Sequence, residues 1–151
     1  MTDRVQLPEP PRGVRETAPP YRAVLVDVNT VVALWSLPPS TVLAMIECGQ
    51  IRWAWDVSTH GAHREIRVWL RELFQSTSVR TMGAREVMEA VIGYTAEARL
   101  RASTVRRMVM VPHVTIHRLT ELGQLEGSVE DGKLWISRAS LADFLTRRLI
   151  V

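Results

Sequence analysis

Apolar positions along this chain follow two alternating rhythms, and the whole series of rhythms is written twice. Val31, Leu34 and Leu37, and then Val42 and Met45, fall three apart, a spacing of one helical face, and Ile51 follows. Pro38 and Pro39 break the run and Gly49 stops it, which predicts two short helices joined by a tight turn: a helix-turn-helix. Set 74 positions further on, Val105, Met108, Val111, Ile116, Leu119 and Leu125 repeat the apolar pattern. The punctuation repeats with it: Pro112, Thr115, Glu121, Gly123 and Gln124 answer Pro38, Thr41, Glu47, Gly49 and Gln50.

After each glycine the period drops to two. IRWAWDV and EIRVW flank STHGAHR in the first copy, and LEGSV and LWIS flank EDGK in the second, so each copy predicts a β-hairpin, a wing beside its helix pair. Asp131-Gly132 is a strong two-residue turn signal. The first wing is about six residues longer, because Val68 answers Ile136 at a shift of 68 rather than 74. Each hairpin leads into another helix, LRELF in the first copy and SLADFLTRRL in the second, where Leu141, Phe144, Leu145 and Leu149 make one apolar stripe.

Upstream of the first copy, RAVLVDV reads as a short strand leading to a helix start at Asn29 or Thr30. Between the copies, Ala84 to Leu100 reads as a helix with a break near Gly93 left open. It either connects the two units rigidly or packs on the second. Residues 1–20 hold five of the eight prolines and hardly any large apolar side chain, so they are expected to form a flexible arm. The first unit then spans residues 21–80, and the linker helix with the second unit spans residues 81–151.

Composition narrows the class. A chain of 151 residues, 46% apolar, suits one ordinary domain or two very small ones. No apolar run reaches the roughly 18 residues of a membrane span and no stretch resembles a signal peptide, so a soluble cytoplasmic protein with no membrane partner is expected. Cys48 is the sole cysteine, which excludes an internal disulfide and a thiolate metal cluster. The formal charge is +3 and the sequence pI about 9.7, a balance that permits nucleic-acid binding without requiring it. Residues 22–80 carry six basic and five acidic side chains and residues 81–151 carry ten and eight, so a phosphate-binding face has to be a local arrangement.

The segment VPHVTIHRLTELGQL followed by KLWISRASLADFL, Val111 to Leu145, resembles the excisionase-like branch of the MerR superfamily. That family writes V-S-x-x-T-V-x-R-x-I-x-x-G-x-L, then a hairpin, then W-R-I-x-R-x-x-L-x-x-F-L. In the first copy LPPSTVLAMIECGQI matches the helical part, but Leu43 and Ala44 stand where the second copy has His117 and Arg118, and the sequence after Trp69 departs from the pattern. The resemblance implies an α+β, mainly helical fold of two tandem winged helix-turn-helix units joined by a helix. It also implies double-stranded DNA as the partner, in an excisionase, a recombination directionality factor or a small transcriptional regulator, with a cytoplasmic, nucleoid-associated location.

The residues make their own case for DNA. A recognition helix presents its first residues and one exposed face to base edges, while a wing and helix ends hold phosphates. With Ile116, Leu119 and Leu122 as the expected core face, His113, Thr115, His117 and Arg118 are left outward. Arg106, Arg107, Lys133 and Arg138 surround that helix in the predicted fold. The first copy offers Ser40, Thr41, Leu43 and Ala44 without a cation; its basic groups, Arg52, His60, His63, Arg64 and Arg67, sit on the long wing. Trp53, Trp55 and Trp69 on the same wing either fill a small core or form a protein contact. A second reading follows from these: an adaptor whose first unit mediates self-association or docks a partner protein such as a recombinase.

Other signals carry less. GSVEDGK fits the first seven positions of a P-loop, but Leu134 replaces the magnesium-binding hydroxyl and a strand is expected where a P-loop needs a helix. HGAH could chelate a metal, yet no cysteine or carboxylate cluster sits near it in sequence. No nucleophile motif and no spaced pair of carboxylates is present, so neither catalysis, metal nor cofactor is expected.

Overall fold

Each repeat opens on a strand that waits across two helices for its partner. The computed structural model describes residues 23–59, 63–75, 79, 81–93 and 97–150; the arm expected over residues 1–20, and His60 on the first hairpin, lie outside them. In chain order the first repeat is β1 (Leu25–Asp27), α1 (Val28–Trp35), α2 (Pro39–Glu47), β2 (Ala54–Asp56), β3 (Ile66–Trp69) and α3 (Leu70–Phe74). Helix α4 (Ala84–Ile92) follows. The second repeat is β4 (Arg99–Arg101), α5 (Ala102–Val109), α6 (His113–Glu121), β5 (Gly127–Glu130), β6 (Lys133–Ser137) and α7 (Arg138–Arg148), closed by β7 (Leu149–Ile150). The described residues thus form an α+β fold of seven helices and two small antiparallel sheets, ordered β1-β3-β2-β7 and β4-β6-β5.

The duplication reaches individual hydrogen bonds. Pro38 O accepts from Thr41 N and Val42 N at the start of α2; Pro112 O accepts from Thr115 N and Ile116 N at the start of α6. At the helix ends Ile51 N donates to Met45 O, and Leu125 N to Leu119 O. The turns between helices close on left-handed residues at equivalent places, Ser36 at φ 54° and Met110 at φ 51°, and the stops on Gly49 at φ 80° and Gly123 at φ 73°. In the sheets Val26 pairs with Val68 as Leu100 pairs with Ile136, which is the register the shift of 68 predicts. Helices α1 and α2 meet at 112°, within the usual range for a helix-turn-helix corner. At the second hairpin Asp131 and Gly132 both take positive φ, 53° and 72°, the backbone a type I′ turn requires.

Four expectations are corrected. Helix α1 begins at Val28, because Asp27 caps it: its carboxylate accepts from Thr30 N at 2.8 Å and from the Thr30 hydroxyl at 2.6 Å. The linker helix ends at Ile92 with Gly93 as its cap, at the break the sequence left open, and residues 99–101 are no helical continuation but form β4 on the edge of the second sheet. Leu122 is not a core residue; α6 has ended by then, and the side chain is 46% exposed. Leu149 leaves the α7 stripe to pair with Trp55 in the first sheet.

The first sheet is apolar on both faces, and this joins the repeats. Alternation along β2 and β3 sends Ala54 and Val68 toward α1 and α2, where Val31, Leu34, Val42 and Met45 complete one core. Trp55 and Trp69 face the other way, with Trp53 and Leu25, into a second core built mainly by α4 to α7. Helix α4 packs there too, through Val87, Met88, Val91 and Ile92, and lies against α7. The long wing therefore carries no exposed tryptophan: Trp53, Trp55 and Trp69 are all buried.

Helix α3 is fastened by a buried carboxylate. Glu72 Oε1 accepts from Trp53 N at 2.8 Å and Oε2 from Arg52 N at 2.9 Å, the amides just before β2. The second repeat uses Ser140 for the same task, its hydroxyl accepting from Glu126 N at 3.1 Å. Glu72→Ala removes the acceptor of the buried Trp53 amide and a bond to Arg52 N, and is expected to lower stability by about 2–3 kcal/mol in urea unfolding. Glu72→Gln, which keeps the shape of the side chain and one acceptor oxygen, is expected to lose less; a loss near zero for Glu72→Gln would show that the side chain acts through packing alone.

Candidate nucleic-acid interface

The second repeat brings its polar residues to one groove. Helix α6 starts directly after Pro112, whose extended backbone and missing N–H suit a helix entrance. Its inward side is Ile116 and Leu119, both buried. The helical period then leaves His113, Val114, His117 and Arg118 exposed, with Thr115 half-buried. His113 and His117 stand one turn apart, ring centroids 5.0 Å from each other and tilted by 56°. Across from them the hairpin β5–β6 and the start of α5 complete a groove of about 210 Å³, walled by Arg101, Ser103, Val129 and Lys133.

The electrostatics of this groove are positive. Arg101 and Lys133 supply fixed charge, and the imidazoles of His113 and His117 supply N–H donors. On the hairpin Glu130 is engaged by Arg99 at 2.6 Å, whose guanidinium also lies 5.0 Å from the Trp135 ring centre, and Asp131 is exposed at the turn beside Gly132. Arg118 holds only a long contact of 3.9 Å to Glu121 with both side chains more than half exposed. A pair like that contributes little, so a phosphate or a base edge can take Arg118 over. Arg106 and Arg107 are exposed on α5, about one helical turn beyond Ser103.

Other expected site residues are placed elsewhere. Arg138 is half-buried and turns away from α6, its Nε donating to Ile92 O at the end of α4. Arg67 is buried: Nε donates to Val109 O at 3.0 Å and Nη2 to Met110 O at 2.7 Å, so its guanidinium holds the carbonyls at the end of α5. Burial lowers its pKa from the ordinary guanidinium value, with Glu65 and Asp27 opposing. It does not reach a phosphate. Arg52 is exposed with its guanidinium 4.9 Å over Trp53, and Arg64 and His63 are exposed on the first hairpin. On α2, Ser40, Thr41, Leu43 and Ala44 are exposed and no cation accompanies them.

At the base of the first hairpin Asp56 accepts from Ser58 N at 3.1 Å and Glu65 N at 3.2 Å. Burial pushes its carboxyl up, but hydrogen bonds from Ser58 and Glu65 and the charge of Arg148 outweigh this and hold it below the ordinary value of 3.8. Arg148, at the end of α7, also donates to Ser58 O at 2.9 Å, so this hairpin leans on the second repeat.

Sequence reasoning missed Arg101 and Val129. Arg101 lies one residue past the expected linker helix and has no expected role there, yet it stands 74 positions after Asp27, the cap of α1, and so belongs at the mouth of the second helix pair. No group of three or more potential metal ligands occurs among the described residues, and no helix among them is long and apolar enough to cross a membrane. Comparison with protein-family models, curated proteins and solved structures finds no match to this chain.

Proposed function

We propose that the chain is a sequence-specific double-stranded DNA-binding protein built from two winged helix-turn-helix units, with the second unit as its reading head. It acts as an excisionase-type factor or a small transcriptional regulator. The observation that carries the reading is the groove beside α6, where Arg101, Lys133, His113 and His117 converge and Arg118 stands exposed on the adjacent ridge. Polyanions are held by such local positive concavities even when the whole chain is nearly neutral. Helix α6 enters the major groove, and the β5–β6 hairpin lies along the backbone. The first unit acts chiefly as a platform, since its tryptophan face is spent on the second.

The adaptor reading loses its main support with those buried tryptophans; the exposed Leu43 and Ala44 on α2 are what remains of it.

The test is selection of bound duplexes from a random pool, followed by a salt titration of affinity. Arg118→Ala is expected to weaken the selected site by about 10- to 100-fold, the worth of one bidentate base contact, and to relax the preference at one position. Lys133→Ala is expected to weaken all duplexes alike and to reduce the salt slope by about one. Absence of any salt-dependent duplex binding by the full chain would sink the proposal.

A further inference from the structure

The outward residues of α6 do not share one chemistry. His113, His117 and Arg118 are polar, but Val114 among them is 74% exposed, more than any other large apolar side chain among the described residues. Packing within the chain does not account for it, because the inward positions of α6 are already filled by Ile116 and Leu119. It stands in the first turn of the helix and on the ridge that reaches Arg118 four residues later, about 6 Å along the axis.

The surroundings say what such a side chain meets. A protein-docking patch is usually depleted of charge at its centre, whereas Val114 is flanked by two histidines and Arg118, beside a groove walled by Arg101 and Lys133. That ring of donors fits a polyanion. In the major groove of DNA the one apolar group on a base edge is the C5 methyl of thymine. Taking DNA binding by the second unit as its premise, we infer that Val114 determines specificity by contacting a thymine C5 methyl. Arg118 meets a neighbouring base pair about two steps away, since base pairs are spaced by roughly 3.4 Å along the duplex.

The experiment uses the full chain and the duplex it selects, with thymines replaced one at a time by deoxyuridine, which deletes the methyl and nothing else. One such replacement is expected to weaken wild-type binding by about fourfold, the effect of withdrawing one methyl-sized group from an apolar contact. Val114→Ser, an exposed site whose substitution leaves the core untouched, is expected to bind methylated and unmethylated duplexes equally. Val114→Thr keeps a methyl and is expected to restore part of the discrimination. Duplex binding that ignores every thymine methyl, or a methyl effect that persists in Val114→Ser, overturns the assignment while leaving DNA binding intact. Loss of self-association in Val114→Ser with unchanged methyl discrimination overturns it in favour of a protein contact. Failure to select any duplex overturns the premise as well, and is read before a methyl is removed.

Discussion

Replacing Trp55 by alanine is expected to lower the unfolding free energy by about 3–5 kcal/mol, the range for emptying a large aromatic site in a core. Trp55 is 0% exposed and sits in β2 between β3 and β7, on the face turned to the second repeat. Loss of its ring removes packing from both repeats at once. The effect is therefore expected at a distance: in native-state hydrogen exchange, amides of α6 lose protection along with those of the first sheet. Protection lost in the first repeat alone would show that the shared core does not couple them. Trp55→Phe is expected to cost much less, because the indole N–H has no acceptor among the described residues and its removal forfeits no hydrogen bond. Trp53 differs, its Nε1 donating to Val79 O at 3.0 Å, and Trp53→Phe gives up that bond.

The second large effect is expected from Arg67→Met, at about 2–4 kcal/mol, since hydrogen bonds from a charged donor are among the stronger ones and the carbonyls they served stay buried. Those carbonyls belong to Val109 and Met110, the last turn of α5, where a helix end favours a cation. Arg67→Lys keeps the charge but not the planar fork that serves both carbonyls, and should recover only part of the loss. Urea unfolding gives the cost. If the proposed duplex binding is found, a salt titration separates the roles: a phosphate contact at Arg67 would reduce the slope by about one with little change in stability, and the opposite is expected here.

The repeats were legible because their demands are local. A corner, a glycine stop and a two-residue turn each require particular residues at particular spacings, and a duplication displays those requirements twice, down to the register of Val68 and Ile136. Docking of one repeat on the other was harder to read. Trp53 and Trp55 two apart on a strand show that they share a side, and say nothing of whether a loop, a partner or the rest of the chain covers it. A signal for Arg67 was present nonetheless. It lies two residues before Trp69 and opposite Trp55, so alternation places it on the tryptophan face, where a cation needs buried acceptors. At the equivalent place the second repeat has Trp135, which is only half-buried and faces Arg99. The outward face of α6 was the most readable part of the candidate site, while Arg101 came to the groove through a three-residue edge strand too short to announce itself by alternation.

Strand β7 fixes the order in which this molecule can be completed during synthesis. Ala54 pairs with Ile150, so the edge of the first sheet stays open until the segment after α7 has been made. Until α4 to α7 are in place Trp53, Trp55 and Trp69 lack their cover, and until β7 pairs β2 presents an open backbone edge to any neighbouring nascent chain. The first repeat is made early but finished late. The second repeat, once made, is in effect its permanent chaperone, lying over the tryptophan face for the life of the fold.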